Sequence, residues 1–216
     1  MKWRCFLFDL DGTLVSMELD FLKIRKKIKE TLIKYGMPEE KIRFGETTLE
    51  SLYQMKKYMI KNSLNYESAL RESIDLIREE EIKASKMCKP MEGSRELFEF
   101  LKDNKKRIGI ITRNRRESTL ISLKRAKLIE FCDLILTRED VLNPKPNPEH
   151  LKTALKFLGA NPKDCVFVGD HGLDISSGRE VGLETVGVLS GSGSRKSLRK
   201  ADFVFQNLKE FLEFLR

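Results

Sequence analysis

The chain has 216 residues, with 41 Lys and Arg against 33 Asp and Glu, a formal net charge of +8. Hydrophobic residues make up 40% and charged residues 34%, which excludes intrinsic disorder; no apolar run approaches the roughly 18 residues of a membrane-spanning helix. The basic excess is spread along the chain rather than gathered in a tail or stripe, so neither a nucleic-acid partner nor a membrane is expected.

The first residues, Met1 to Cys5, lead almost directly into an apolar run, so no signal peptide is expected. The cysteines at 5, 88, 132 and 165 form no C-x-x-C pair, and the histidines are too few for a zinc site. They read as reduced thiols, and the expected location is cytoplasmic.

Cys5 to Phe8 is the first predicted strand. From about Ser16 to Lys89 no strand is predicted. Phe21, Ile24, Ile28 and Leu32 fall at helical spacing before Gly36; Leu49, Leu52, Tyr53 and Met59 suggest a second helix, and Leu70, Ile74 and Ile77 a third. Pro90-Met91-Glu92-Gly93 returns the chain to alternation. Helices over Ser94–Asn104, Glu117–Leu128, Glu149–Leu158 and Leu208–Leu215 separate apolar runs at Ile108–Ile111, Leu134–Leu136, Val166–Val168, Val186–Val188 and Phe203–Phe205. Continuous rather than alternating apolar runs are the mark of parallel strands covered on both faces. The expected fold is therefore α/β: a doubly wound, mostly parallel sheet from residues 1–15 and 90–216, with a small helical domain, 16–89, inserted after the first strand.

In such a sheet, ligands bind beyond the carboxyl ends of the strands. There stand Asp9-Leu10-Asp11-Gly12-Thr13, Thr112-Arg113-Asn114 and Gly169-Asp170-His171-Gly172-Leu173-Asp174. Asn143-Pro144-Lys145-Pro146-Asn147-Pro148 adds a lysine in a proline-stiffened turn. Clustered carboxylates repel one another and call for a shared cation. All-oxygen donors suit a hard ion, Mg²⁺. Such an ion with Lys145, Thr112 and the amides near Gly12 makes a phosphate site. One of Asp9 and Asp11 could attack phosphorus while the other handles the proton. His171 reads as a loop residue at the rim rather than a catalyst.

The chain resembles phosphatases of the haloacid dehalogenase superfamily that carry a helical cap after the first motif, the phosphoglycolate phosphatase-like subgroup. DLDGTLV is similar to the first motif, Ile111-Thr112 to the second, NPKPNPEHL to the third and VGDHGLD to the fourth. The resemblance implies that Asp9 is the nucleophile that forms an aspartyl-phosphate, and that Asp11 is the general acid and base. It places Mg²⁺ on the side chains of Asp9 and Asp170 and on the backbone carbonyl of Asp11, with Asp174 in support through water or Lys145. Thr112 and Lys145 would hold the phosphoryl oxygens, with Gly12 and Arg113 beside them; Arg113 departs from the Asn that many relatives have there.

Asp11 separates a phosphatase from a dehalogenase of the same fold, which has no leaving alcohol to protonate. A phosphomutase, a non-catalytic binding protein that reuses the fold and, from charge alone, a nucleic-acid binder are the competing readings. The expected partner is a small phosphorylated metabolite whose identity the phosphate-binding residues do not specify. The insert is expected to act as a lid, with hinges near residues 16–19 and 89–93. Lys41 and Arg43, in the loop 37–47, are its candidate contacts to the leaving group.

Overall fold

The computed structural model describes residues 2–17, 19–45 and 47–216. Six strands form one sheet: β1 (Cys5–Phe8), β4 (Arg107–Ile111), β5 (Leu134–Leu136), β6 (Cys165–Gly169), β7 (Glu184–Val188) and β8 (Phe203–Phe205). Their order is β5-β4-β1-β6-β7-β8, and every pairing is parallel. From β1 the chain moves outward to β4 and β5, then returns to lay β6 on the other side of β1. The switch point therefore falls between β1 and β6, where an open parallel sheet leaves a crevice.

The period-2 geometry of a strand decides how β1 is covered. Phe6 and Phe8 enter one core with Trp3, Leu97, Phe98 and Phe211. Cys5 and Leu7 enter the opposite core with Leu151, Leu155, Leu158 and Phe167. The first core belongs to α4 (Ser94–Asp103) and α8 (Leu208–Leu215), which also touch each other; the second belongs to α6 (Glu149–Leu158). Helix α5 (Arg116–Arg125) stops earlier than its apolar spacing predicts. Lys127 takes a φ of 54°, and the Leu128 N–H closes back on the Leu123 carbonyl at 2.9 Å. That is a left-handed helix stop achieved without glycine.

Two features were not legible beforehand. Helix α7 (Gly172–Glu180) buries Asp174, Ile175, Ser177 and Gly178, a small and polar face that leaves no apolar stripe to detect. A Cβ on Gly178 would stand 2.6 Å from Thr185 Cγ2, so the helix lies close on β7 because that residue has no side chain. The second feature is a ladder of two residues a side. β2 (Val15–Ser16) pairs antiparallel with β3 (Lys89–Pro90), tying together the segments that lead into and out of the insert.

The chain divides into two compact units, Met1–Met17 with Ser85–Arg216, and Glu18–Ala84. The second consists of α1 (Phe21–Lys34), α2 (Thr48–Lys61) and most of α3 (Tyr66–Met87). Ile24, Ile28 and Leu32 of α1 meet Leu52, Met55 and Met59 of α2 and Tyr66 and Ala69 of α3. Side chains cap all three starts: Asp20 accepts from Lys23 N, Thr47 from Glu50 N and Asn65 from Ser68 N. Lys34 and Tyr35 both donate to Glu72, joining α1 to α3. No helix among the described residues is long and apolar enough to cross a membrane.

Candidate active site

Asp9 follows the last residue of β1, and its N–H bonds the Val168 carbonyl of β6 at 2.9 Å, so the chain is still in register as it leaves the sheet. Asp170 follows the last residue of β6. The two carboxylates therefore stand side by side at the switch point. Asp174 arrives differently. It lies in the first turn of α7, where its Oδ2 accepts the His171 N–H while the His171 Nδ1 accepts from Leu173 N. This capping box fixes Asp174 and gives His171 a structural task at the head of the helix.

Lys145 comes from the turn before α6. Glu149 ties that turn by accepting from Leu142 N, Asn143 N and Asn143 Nδ2, and Ser177 Oγ of α7 donates to the Pro146 carbonyl. The Lys145 N–H reaches Nδ1 of the buried His150 at 3.4 Å. Burial, then the Lys145 charge, pushes the His150 pKa down to about 4, so the ring is neutral and can accept that bond. The lysine side chain is 2% exposed, and its Nζ donates to Asp9 Oδ1 at 2.7 Å and to Asp174 Oδ1 at 2.8 Å. Burial alone would lower the ammonium's pKa, but Asp174 and Asp9 more than offset it, and the net shift is upward.

Asp9, Asp170 and Asp174 each offer a carboxylate oxygen, and these atoms lie within 4.8 Å of one another. One ammonium cannot neutralise three carboxylates in a buried site. Burial is the main reason that the Asp9 carboxyl lies well above the usual range; Lys145 pulls it down, and Asp174, Asp170 and Asp11 push it further up. Asp170 is also raised, by burial first, with the Ser192 N–H acting against the shift. An all-oxygen cluster with surplus negative charge fits a small divalent cation, and Mg²⁺ meets that description. The carboxylate of Asp11 is not one of the three.

Gly12 has a φ of 78°, and a Cβ there would stand 2.5 Å from Asp170 Oδ2, so only glycine lets the β1 loop pass this carboxylate. Thr13 is buried, with its hydroxyl 3.4 Å from Asp170 Oδ1. Thr112 follows β4, whose Ile110 is paired with Phe8, so Thr112 and Asp9 emerge from neighbouring strands. The Thr112 hydroxyl is buried and accepts from Asn114 N at 3.1 Å. Arg113 is half-buried beside it, and its carbonyl accepts from Arg138. Contacts therefore join Asp9, Lys145 and Asp174, and Gly12 and Thr13 with Asp170; Thr112 and Arg113 are placed at the same sheet edge by strand register.

The residues missed in the sequence are Ser190 and Ser192, in the loop after β7. Ser192 N and Oγ both donate to Asp170 Oδ2, at 2.7 and 3.0 Å, and Ser190 Oγ donates to the Gly12 carbonyl at 3.2 Å. The S-G-S-G run at a strand's carboxyl end was the available signal, because alternating glycines mark close backbone approach.

A parallel doubly wound sheet with a cluster of acids at its switch point has the layout of an enzyme active site. A model of the family described as haloacid dehalogenase-like hydrolase matches residues 6–188, and the chain belongs to that family. Pyrophosphatase PpaX of Bacillus cereus (strain AH820) is 30% identical over 219 residues, which cover 100% of this chain and 97% of that one. The crystal structure of a hydrolase from Pseudomonas syringae matches with a TM-score of 0.73 at 27% identity, over 99% of this chain and 97% of that one. The structure of a β-phosphoglucomutase from Clostridium difficile matches with a TM-score of 0.72 at 21% identity, over 99% and 95% of the two chains, a likeness of fold.

Proposed function

We propose that the protein is a Mg²⁺-dependent phosphatase that hydrolyses a small phosphate ester or anhydride through an aspartyl-phosphate on Asp9. The observation that carries this reading is the cluster of Asp9, Asp170 and Asp174, two of which bond the buried Lys145. An Asp9 carboxylate oxygen attacks phosphorus as the bond from phosphorus to the leaving oxygen breaks, and Asp11 gives that oxygen its proton. Asp11, now ionised, takes a proton from water, whose oxygen attacks the phosphorus of the aspartyl-phosphate. Inorganic phosphate leaves and Asp9 is regenerated. Lys145 and Thr112 hold phosphoryl oxygens, with Gly12 and Arg113 at their side. Asp9, Asp170 and the Asp11 carbonyl would hold the cation, which when bound would supply positive charge toward those oxygens. Asp174 acts through Lys145, which it bonds at 2.8 Å.

The relative named a pyrophosphatase makes inorganic pyrophosphate the first compound to try, beside phosphoglycolate, sugar phosphates and nucleotides. Turnover should require Mg²⁺, vanish in EDTA and return when Mg²⁺ is restored. Ca²⁺ should inhibit, because its larger and looser coordination does not hold the phosphoryl group for in-line attack. Release of phosphate at full rate in chelator would refute the reading. Isomerisation of a sugar phosphate without net phosphate release would instead identify a mutase.

We assign substrate selectivity to the helical unit Glu18–Ala84. Lys41 and Arg43 are both exposed there, in the segment between α1 and α2. Replacing both by Ala should reorder a phosphate panel ranked by kcat/KM while leaving the Mg²⁺ requirement unchanged. An unchanged ranking would remove these two residues from the assignment.

A further inference from the structure

The loop that follows β7 wraps the Asp170 carboxylate without being part of any motif that marks the site. Leu189 N bonds the Phe205 carbonyl of β8 at 3.0 Å, which anchors the start of the loop to the sheet. Ser190 then donates to the Gly12 carbonyl, and Ser192 places two donors, its N–H and its hydroxyl, on one oxygen of Asp170. The residues between and after them have no room for a side chain. A Cβ on Gly191 would overlap the Asp170 carboxylate, and one on Gly193 would overlap the Asp170 carbonyl oxygen. With Gly12 also against it, two glycines and one serine crowd Asp170 Oδ2, while Gly193 lies against the backbone carbonyl of the same residue. The other oxygen, Oδ1, is approached by the Thr13 hydroxyl at 3.4 Å.

A carboxylate turns easily about its terminal bond, since that torsion is broad and roughly two-fold. Left to itself, Asp170 could present either oxygen, or both, to its neighbours. Two donors on Oδ2 remove that freedom and leave Oδ1 presented. Groups that orient a ligand in this way are worth about 10–100-fold in metal affinity. The hydroxyl is one of two donors on Oδ2, which puts its share at about tenfold.

We propose that residues 190–193 form a positioning loop for the metal site, with Ser192 fixing the Asp170 carboxylate so that one oxygen faces the cation. This rests on the proposed function, in which Asp170 is a metal ligand. Ser192 touches neither substrate nor cation; it acts through Asp170.

The test is Mg²⁺ affinity measured calorimetrically on the full chain without substrate, beside the melting temperature in EDTA. Wild type, Ser192→Ala and Ser192→Thr are compared. Ser192→Ala should bind Mg²⁺ about tenfold more weakly, melt in EDTA near wild type and show an unchanged substrate KM at saturating Mg²⁺. Ser192→Thr, which keeps the hydroxyl, should restore affinity. A Ser192→Ala protein with wild-type Mg²⁺ affinity would overturn the proposal, and so would one whose only change is a lower melting temperature. Failure of Ser192→Thr to recover affinity would also overturn it, because the effect would then follow from loop disruption. Gly191→Ala, which drives a methyl into Asp170, should weaken Mg²⁺ binding further; wild-type affinity there would contradict the close approach. A wild-type chain that binds no Mg²⁺ removes the functional reading itself, and the loop's role with it, before any variant is made.

Discussion

Asp9→Asn should abolish phosphate release while leaving the fold intact. The replacement keeps the shape of the side chain and its hydrogen bond from Lys145 at 2.7 Å. It removes the nucleophilic oxygen, since a carboxamide attacks phosphorus poorly. It also removes one charge from a cluster of three acids of which one ammonium bonds two, so thermal stability without Mg²⁺ should not fall. Asp11→Asn serves as the comparison. It leaves the nucleophile and removes only proton transfer, so it should cost ~10²–10⁴-fold in turnover, more for esters with poor leaving groups. Measurement of single-turnover phosphate release with both variants separates the two roles. Turnover of Asp9→Asn near the wild-type rate would overturn the nucleophile assignment, and equal losses across leaving groups in Asp11→Asn would overturn the acid assignment.

Lys145→Ala should cost both stability and activity. The ammonium is 2% exposed and bonds two acids whose side chains are 14% and 7% exposed. Removing one partner of a buried pair leaves uncompensated charge, which costs about 3–5 kcal/mol. A divalent cation can take over part of the compensation, so Mg²⁺ should recover more stability in this variant than in wild type. Urea unfolding with and without Mg²⁺ measures both quantities. A loss below about 1 kcal/mol, the level of an exposed ion pair, would mean that the site is wetter than its burial indicates. Lys145→Arg should not rescue turnover, because the wider guanidinium cannot occupy a pocket shaped for one nitrogen between Asp9 and Asp174.

The sheet was readable because its central strands are covered on both faces and its edge strands, β5 and β8, are still apolar throughout. Such strands are continuous apolar runs, and Cys5–Phe8, Leu134–Leu136 and Phe203–Phe205 carry the same bounds in the sequence reading and in the fold. Helices α6 and α8 were equally plain, since each buries a wide apolar stripe. Helix α7 was not, because it buries Asp174, Ser177 and Gly178 against β6 and β7, where a bulky stripe would not fit. The two-residue ladder β2–β3 was hidden for another reason: two residues show no period.

The site divides along the same physical line. Local chemistry written in short motifs marks Asp9, Thr112 and Asp170 directly after strands, Asp11 and Asp174 a few residues further on, and Lys145 in a proline-stiffened turn, and the acids among them need compensation wherever they are buried. What local chemistry cannot express is long-range pairing. That Lys145 bridges Asp9 and Asp174 rather than turning to solvent depends on α6, α7 and β1 meeting at one switch point. That Ser192, 22 residues beyond Asp170 in the chain, closes over its carboxylate depends on β7 lying next to β6. A serine between two glycines reads as an ordinary loop until the neighbouring strand brings a carboxylate up to it. The motif residues could therefore be singled out from chemistry confined to a few neighbours in sequence, whereas their partners follow from packing that only the folded chain creates.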